Sequence, residues 1–389
     1  MEKKKALEGA VNDVVEGKMS WRKAAAKWGV KKSTLGDRIT GRVALGRRSG
    51  PPPILTADEE DMITNWTVSM AERGFTVTKT QLRYTVKKIL DKDGRQNPLK
   101  HKSPPNLPGD KWYRHFLERN PKARLAISKK VDVKETKNCE SAESIWFTNF
   151  KTFLSHHSLL DKPTNIWNYG ELSFSVQTKT GKVLGTTNRT VTDPQITVEA
   201  CINAAGLAIP PYFLFPKKVG RQSRNPLEGS VPGSSCYFTE KGLMDSTAFH
   251  AWFSTHFIPN IPSKRPSVLL HNSSESHLDY ETFKLAEENQ ILLFRLLPNT
   301  SNFLQPCDVA LLSPMKISWS KVVSDYVDDN PSQEVNIETF TKVFRVAWGM
   351  SVTYKNVVDG FSRSGIYPPD KSKFSGTSGT SSTTFVDNP

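Results

Sequence analysis

Three short segments with helical apolar spacing occupy the first forty residues of the 389-residue chain. They cover residues 6–17, 21–28 and 33–39, and each repeats apolar side chains every three or four positions. Gly17 ends the first segment and Gly29 follows the second. Because glycine readily adopts the left-handed backbone that ends helices, the pattern predicts three short helices joined by tight turns.

Three short helices with a glycine turn before the last are the layout of a helix-turn-helix, whose last helix enters the major groove of DNA. The predicted last helix carries Gly36 and Asp37 within it. Cationic and hydroxyl side chains that can reach phosphates or base edges lie on or beside this helix: Lys31, Lys32, Ser33, Thr34 and Arg38. The same pattern also fits any small three-helix bundle, so the charge distribution is needed to choose between the two.

The net positive charge of the chain is confined to its first third. Residues 1–135 hold 30 Lys and Arg against 16 Asp and Glu, whereas the rest of the chain holds 23 of each. A localised basic block is typical of proteins that bind the phosphate backbone, because neutralised phosphates release counterions. A solvated basic arm with no specific partner is the alternative interpretation.

A basic linker rich in proline follows, at residues 46–54. It lacks apolar periodicity, which predicts an extended and semi-rigid segment. Arg42, Arg47 and Arg48 in and beside this linker are suited to a narrow minor groove. A plain spacer explains the same residues equally well.

A second helical region covers residues 55–130. Apolar periodicity predicts helices at 62–73, 78–90 and 110–119. A second helix-turn-helix is the simplest interpretation of these three helices. Its last helix carries Lys111 and Arg114 as candidate DNA contacts, beside an apolar stripe that we assign to the core.

The remaining composition excludes several classes of protein. No run of 18 apolar residues and no N-terminal signal pattern occurs, so we expect no membrane partner and no secretion. The four cysteines are far apart, which argues for reduced thiols and against a zinc finger. Near the C-terminus, an apolar stripe within residues 340–348 suits either the core or a homodimer contact, and the core is the preferred interpretation.

Several blocks of the chain resemble the pogo and Tigger branch of transposases. The segment ALEGAVNDVVEGKMSWRKAAAKWGVKKSTLGDRI is similar to the pipsqueak-type helix-turn-helix. LTADEEDMITNWTVSMAERGFTVTKTQLR and GDKWYRHFLERNP are similar to the centromere-protein-B-type helix-turn-helix. Further blocks, among them LLHNSSESH and LPNTSNFLQPCDVALLSPMK, resemble the family's catalytic DDE domain in the right order.

The resemblance implies a multidomain fold class: an all-α tandem helix-turn-helix region followed by an α/β RNase-H-like domain. Short strands are predicted at 166–167, 191–204, 211–215, 268–270 and 292–296. The predicted domains are the pipsqueak-type unit at 1–45, the linker at 46–54, the centromere-protein-B-type unit at 55–130, a helical linker at 131–160, a degenerate DDE domain at 161–370 and a disordered tail at 371–389.

In the family, three carboxylates hold a pair of Mg²⁺ ions that drive strand cleavage. By the resemblance, the first acid position is occupied by Gly170 and the second by Asn272, whereas the third keeps Asp308. Glu171 would face the other side of a strand, and a register slip at the second position would offer His271, a poor ligand for Mg²⁺. We therefore expect no bound metal or other cofactor and no nuclease activity.

These observations together predict a nuclear protein that binds double-stranded DNA sequence-specifically and has lost its endonuclease activity. An active or recently decayed transposase is one alternative, and a scaffold for protein interactions is another. A homodimer is compatible with either interpretation.

Overall fold

The structure is a computed structural model that describes residues 2–43, 53–94, 99, 105–128, 142–176, 183–186, 195–220, 225–272, 278–298, 300–331 and 333–375. The chain forms two compact units, Met1–Thr56 and Ala57–Pro389.

Three helices build the first unit: α1 (Glu2–Val15), α2 (Trp21–Lys27) and α3 (Lys32–Ile39). Gly17 and Gly29 have φ angles of 71° and 61°, so both turns use the left-handed backbone that the sequence predicts. The core of the unit is formed by Ala10, Val11, Ala24, Ala25 and Leu35. The predicted three-helix layout is confirmed.

The second unit begins with four helices: α4 (Ala57–Glu72), α5 (Lys79–Asp93), α6 (Asp110–Arg119) and α7 (Pro121–Ser128). The three predicted helices are confirmed, and α7 was not predicted. Proline is tolerated in the first helical turn because its missing N–H has no partner there, so Pro121 opens α7. Arg119 at the end of α6 donates two hydrogen bonds, of 3.1 and 2.5 Å, to the Glu60 carboxylate on α4.

Seven strands then form one mixed sheet: β1 (Ile166–Val176), β2 (Val183–Thr186), β3 (Gln195–Asn203), β4 (Tyr212–Pro216), β5 (Ser235–Thr239), β6 (Ser267–His271) and β7 (Ile291–Arg295). Their order is β5-β4-β3-β1-β6-β7, with β2 paired to the distal part of β1. β3 runs antiparallel to both of its neighbours, β1 and β4, whereas β6 runs parallel to β1 and β7 parallel to β6. This is the RNase-H-like arrangement that the resemblance implies.

Helices cover both faces of the sheet. The longer ones are α8 (Ala142–His156), α10 (Ser246–Trp252), α12 (Tyr280–Glu288), α14 (Ser313–Asp329), α15 (Phe340–Ser351) and α16 (Tyr354–Arg363). The shorter ones are α9 (Lys217–Gly220), α11 (Ile258–Asn260), α13 (Ser301–Leu304) and α17 (Ser372–Ser375), with a 3-10 turn at Pro163–Asn165 and π-helical turns at Phe253–Phe257 and Asp308–Leu312.

The two faces of the central strand β1 pack against different helices. Phe174 contacts Trp319 on α14 and Phe344 on α15, with ring centroids 4.9 and 5.7 Å apart. On the opposite face, Tyr169 packs 5.0 Å from Trp252 on α10. The apolar stripe within residues 340–348 is buried in the core, so the preferred interpretation of that stripe is confirmed.

Two predicted boundaries are wrong. The segment 131–160 is not a linker in its described part, because α8 buries Phe147, Phe150 and Leu154 in the main core. The predicted disordered tail begins too early, since α17 occupies Ser372–Ser375; residues 376–389 lie outside the described part. Strands β2 and β5 were not predicted, and the predicted strand 191–204 is described only from Gln195.

Candidate nucleic-acid interface and acidic site

Part of the predicted DNA-contacting set lines one open groove on the first unit. The groove has a volume of about 620 Å³ and is bounded by Lys32, Ser33 and Arg42, with Trp21 of α2 at its side. Lys31 and Thr34 are exposed and Arg38 is half-buried, and none of these three lines the groove. Arg47 and Arg48 lie outside the described residues.

A buried aspartate holds α2 in place beside α1. Asp13 accepts hydrogen bonds of 2.8 Å from Lys27 Nζ and from Trp28 Nε1, both at the end of α2. The hydrogen bond from Lys27, followed by that from Trp28, lowers the pKa of the Asp13 carboxyl. The contacts join residues of α1 and α2 that apolar spacing alone does not pair, and sequence analysis missed them.

The second predicted contact region is the exposed face of α6. Lys111, Arg114 and His115 are all exposed there, at the i, i+3 and i+4 spacing that places side chains on one helical face. At the start of the helix, Asp110 lies 2.9 Å from Lys79 Nζ and 3.5 Å from Arg83 Nη1, both on α5. The hydrogen bond from Lys79 lowers the pKa of Asp110. The acid is thereby paired with α5, and the α6 face carries Lys111 and Arg114 together with the exposed acid Glu118.

The first and third acid positions of the DDE domain face each other. A β-carbon built on Gly170 would lie 3.3 Å from Asp308 Oδ1, so the structure brings these two positions together. The same β-carbon would lie 2.6 Å from Cys307 Cβ and 2.9 Å from Gln305 Nε2. Glu171 pairs with Glu199 of β3 and points to the other face of the sheet by strand alternation.

The second acid position follows strand β6 directly. Asn272 is half-buried there, and its Nδ2 donates a 2.6 Å hydrogen bond to Ser301 Oγ at the start of α13. His271 faces the other side of the sheet, where its Nε2 lies 2.7 Å from the Tyr169 hydroxyl. The register slip that would bring His271 into the acid site is therefore excluded.

A network of neutral groups surrounds Asp308. Gln305 Nε2 donates a 2.7 Å hydrogen bond to Asp308 Oδ1. Asn168 on β1 accepts a 2.9 Å hydrogen bond from the Cys307 backbone N–H and donates one of 3.1 Å to the Leu270 carbonyl. Burial raises the pKa of the Cys307 thiol well above its ordinary value, so the thiol stays protonated and donates to the Asn168 and Ala200 carbonyls at 3.3 and 3.5 Å.

The second helical region packs against the sheet beside this site. Arg73 at the end of α4 donates a 2.6 Å hydrogen bond to Glu287 on α12, and its carbonyl accepts from the Arg295 backbone N–H on β7. Phe75 packs edge-on against His271, with ring centroids 5.7 Å apart. Sequence analysis missed these contacts, since they join residues about 200 positions apart.

The same contact surface includes an acid at the start of α12. Asp279 lies 2.7 Å from Lys88 Nζ on α5 and caps α12 by accepting from the Thr282 backbone N–H at 2.9 Å. Burial alone would raise the pKa of Asp279, but the hydrogen bonds from Lys88 and Thr282 outweigh it and lower that pKa.

Comparison with known protein families agrees with this architecture. A helix-turn-helix Psq domain matches residues 3–47, and a Tc5 transposase DNA-binding domain matches residues 56–128. A DDE superfamily endonuclease domain matches residues 193–361. Two DNA-binding helix-turn-helix domains and a DDE endonuclease domain of a transposase family are therefore matched in series along the chain. The two helix-turn-helix matches precede the endonuclease match along the chain.

The individual proteins that the chain resembles are distant from it in sequence. The MFS-type transporter clz9 of Cochliobolus lunatus is 24% identical over 369 residues, and the chain spans about a third of that protein's length, 34%. The Mos1 mariner paired-end complex with Mn aligns with 96% of this chain and 98% of its own, at 10% identity and a TM-score of 0.35. The Mos1 strand transfer complex aligns with 95% and 98%, at 11% identity and a TM-score of 0.31.

No described helix combines the length and the apolar character needed to cross a bilayer. No three His, Cys, Asp or Glu side chains among the described residues are grouped so that they would hold a metal ion.

Proposed function

We propose that this protein binds double-stranded DNA sequence-specifically in the nucleus and that its DDE domain no longer cleaves DNA. The observation that carries the loss of cleavage is the placement of Gly170 opposite Asp308. The matches to two DNA-binding domains and to an endonuclease domain are observed. The sequence specificity of DNA binding, the loss of DNA cleavage and the nuclear location are proposed.

Support for duplex binding comes from two cationic surfaces on helix-turn-helix domains. One is the groove bounded by Lys32 and Arg42, and the other is the α6 face with Lys111 and Arg114. Two of the acids beside these surfaces are paired: Asp37 lies 3.6 Å from Arg42, and Asp110 is bound to Lys79. Each surface thus carries cationic side chains that can contact phosphates.

Support for inactivity comes from the donor groups at the three acid positions. Gly170 supplies no side-chain oxygen, Asn272 supplies a neutral amide whose nitrogen is bound to Ser301, and Asp308 alone supplies a carboxylate. A pair of Mg²⁺ ions is held by negatively charged oxygen ligands, and one carboxylate leaves most of that charge uncompensated. This donor set does not fit a Mg²⁺ pair, so no step of strand cleavage is assigned to it.

Duplex binding is tested by selecting sequences from a random duplex pool with the full chain. We expect enrichment of a defined sequence, with affinity that falls steeply as salt rises. A variant with Lys31, Lys32 and Arg38 changed to Ala is expected to lose both affinity and part of the salt slope. A pool that stays random after repeated rounds would contradict sequence-specific binding.

Inactivity is tested on a supercoiled plasmid that carries the selected sequence. Purified protein with Mg²⁺ or Mn²⁺ is expected to leave the plasmid uncut. Nicking that disappears in Asp308→Ala would overturn the proposal, because it would show that the remaining carboxylate still serves catalysis. Nicking that persists in Asp308→Ala would indicate a contaminating nuclease.

The nuclear location and the oligomeric state need separate measurements. A fluorescent fusion of the full chain is expected to accumulate in the nucleus. Light scattering of the purified protein with and without selected DNA would show whether the chain forms the predicted homodimer.

A further inference from the structure

Trp21 presents an aromatic surface within the groove of the first unit. It is the first residue of α2, and 37% of it is exposed. Its ring lies against Gly36 of α3: a β-carbon built on Gly36 would be 3.2 Å from Trp21 Cζ3. The glycine therefore leaves room for the indole to reach the groove, which it lines.

The groove lies on the face of α3 that points away from the core. Ser33, Gly36 and Thr40 line it at the i, i+3 and i+7 spacing of one helical face, whereas Leu35 is fully buried on the other side. The Thr40 hydroxyl donates to the Gly36 carbonyl at 2.8 Å, so its proton is already used within the helix. In a helix-turn-helix, the outward face of the last helix is the one that meets base edges.

The groove is lined by charged side chains and by the aromatic ring of Trp21. Lys32, Arg42 and Asp37 all line the groove, and the Asp37 carboxylate is 3.6 Å from Arg42 Nη1. The Trp21 ring and the Gly36 backbone supply an apolar surface between them. Lys32 and Arg42 suit the phosphates of a duplex, and the exposed indole suits contact with an apolar group on a base edge.

The major groove of DNA offers one such group. Among the four bases only thymine presents a methyl group there, at C5, and apolar side chains read it by contact. We infer that Trp21 is a specificity-determining residue that contacts the C5 methyl of a thymine in the bound duplex. This inference rests on the proposed duplex binding and adds to it a residue and the base it selects.

The test removes the methyl group and the indole separately. The full chain first selects a duplex from a random pool, and each thymine of that duplex is then replaced in turn by deoxyuridine, which lacks the methyl. For the wild type we expect one replacement to weaken binding about fourfold, corresponding to ~0.8 kcal/mol for a buried methyl group. In Trp21→Ala the same replacement is expected to have no effect, whereas Trp21→Phe keeps part of it.

Two further arms secure the interpretation. Gly36→Ala adds a methyl group against the indole and is expected to reduce the discrimination between thymine and deoxyuridine, so the inference can be tested even if Trp21→Ala does not fold. Cytosine and 5-methylcytosine are compared at the identified position: stronger binding of 5-methylcytosine by the wild type alone would show that the methyl group is read whichever base carries it.

The outcomes separate this inference from the proposed function. If the full chain enriches a sequence but deoxyuridine affects wild type and Trp21→Ala equally, the role of Trp21 is overturned and duplex binding stands. If no sequence is enriched, the proposed function is overturned, and the inference with it. Circular dichroism of each variant confirms that the compared proteins are folded.

Discussion

Gly170 on β1 lies directly opposite Asp308, such that a β-carbon on the glycine would be 3.3 Å from Asp308 Oδ1. The space between them is not open. Cys307 Cβ and Gln305 Nε2 would be 2.6 and 2.9 Å from that same β-carbon, closer than ordinary van der Waals contact. The position that a carboxylate would need is therefore occupied by neighbouring side chains.

Gly170→Ala is accordingly expected to destabilise the protein by about 1–3 kcal/mol, the usual cost of overpacking a filled core. Gly170→Asp is expected to cost more, because it also buries a charge. Gly349→Ala is the matched control, since Gly349 is exposed on α15 and nothing lies within 4 Å of an added β-carbon. Urea unfolding measures all three, and a Gly170→Ala variant as stable as wild type would contradict the packing argument.

Asn272→Asp is expected to be tolerated, with a change in unfolding free energy of about 1 kcal/mol or less. Asn272 Nδ2 now donates to Ser301 Oγ, but the serine hydroxyl can rotate and donate to a carboxylate instead. The double variant with Gly170→Asp is expected to remain inactive on plasmid DNA with Mg²⁺. Nicking by the double variant would show that the packing around Gly170 yields more readily than these distances indicate.

Arg73→Ala is expected to destabilise the protein by about 2–3 kcal/mol. The Arg73 side chain is largely buried, forms a salt bridge with Glu287, and lies over the Phe283 ring with its Cζ 5.1 Å from the ring centroid. Lys92→Ala serves as the control: Lys92 is exposed and its Nζ lies 3.7 Å from Glu281, so its loss is expected to change stability by no more than about 0.5 kcal/mol. Equal effects of the two substitutions in urea unfolding would indicate that Arg73 contributes no more than a surface ion pair.

The Asp279 contact predicts loss of stability in acid. Its folded-state pKa is lowered below the ordinary 3.8, so the stabilisation is fully present above that value and is lost as pH falls through the folded-state pKa. Thermal midpoints measured from pH 7 to pH 3 are expected to fall less steeply in Asp279→Asn than in wild type. Asp359→Asn, an exposed change on α16, is expected to leave the wild-type slope intact, and a matching slope for Asp279→Asn would refute the assignment.

Local patterns predicted the helices well and the strands less completely. The three helices of the first unit follow from apolar spacing and from Gly17 and Gly29, which all act within a few residues. Strand β1 was predicted as two residues but extends from Ile166 to Val176, because its polar positions are stabilised by pairing with β3 rather than by a local signal. β5 likewise depends on its pairing with β4.

Sequence blocks placed the acid positions but not their surroundings. Gly170, Asn272 and Asp308 were identified from motifs, and the structure confirms that Gly170 and Asp308 adjoin. The role of Gln305 and Cys307 in filling that site could not be predicted, because it depends on how the start of the Asp308–Leu312 turn packs on β1. The prediction of a helical linker at 131–160 was wrong for the same reason. The apolar spacing of α8 indicates an amphipathic helix but does not show against which surface that helix packs.

The sequence by itself determined which side chains this protein has available: a basic N-terminal third, glycines at two helix turns, and Gly170, Asn272 and Asp308 at the positions that the resemblance assigns to three acids. Those properties belong to single residues or to neighbours along the chain, and folding cannot alter them. Only the tertiary structure decided that Trp21 lies against Gly36, that Arg73 bonds Glu287, and that Gly170 faces a filled space. These contacts join segments distant along the chain, and their geometry is set by how whole helices and strands pack.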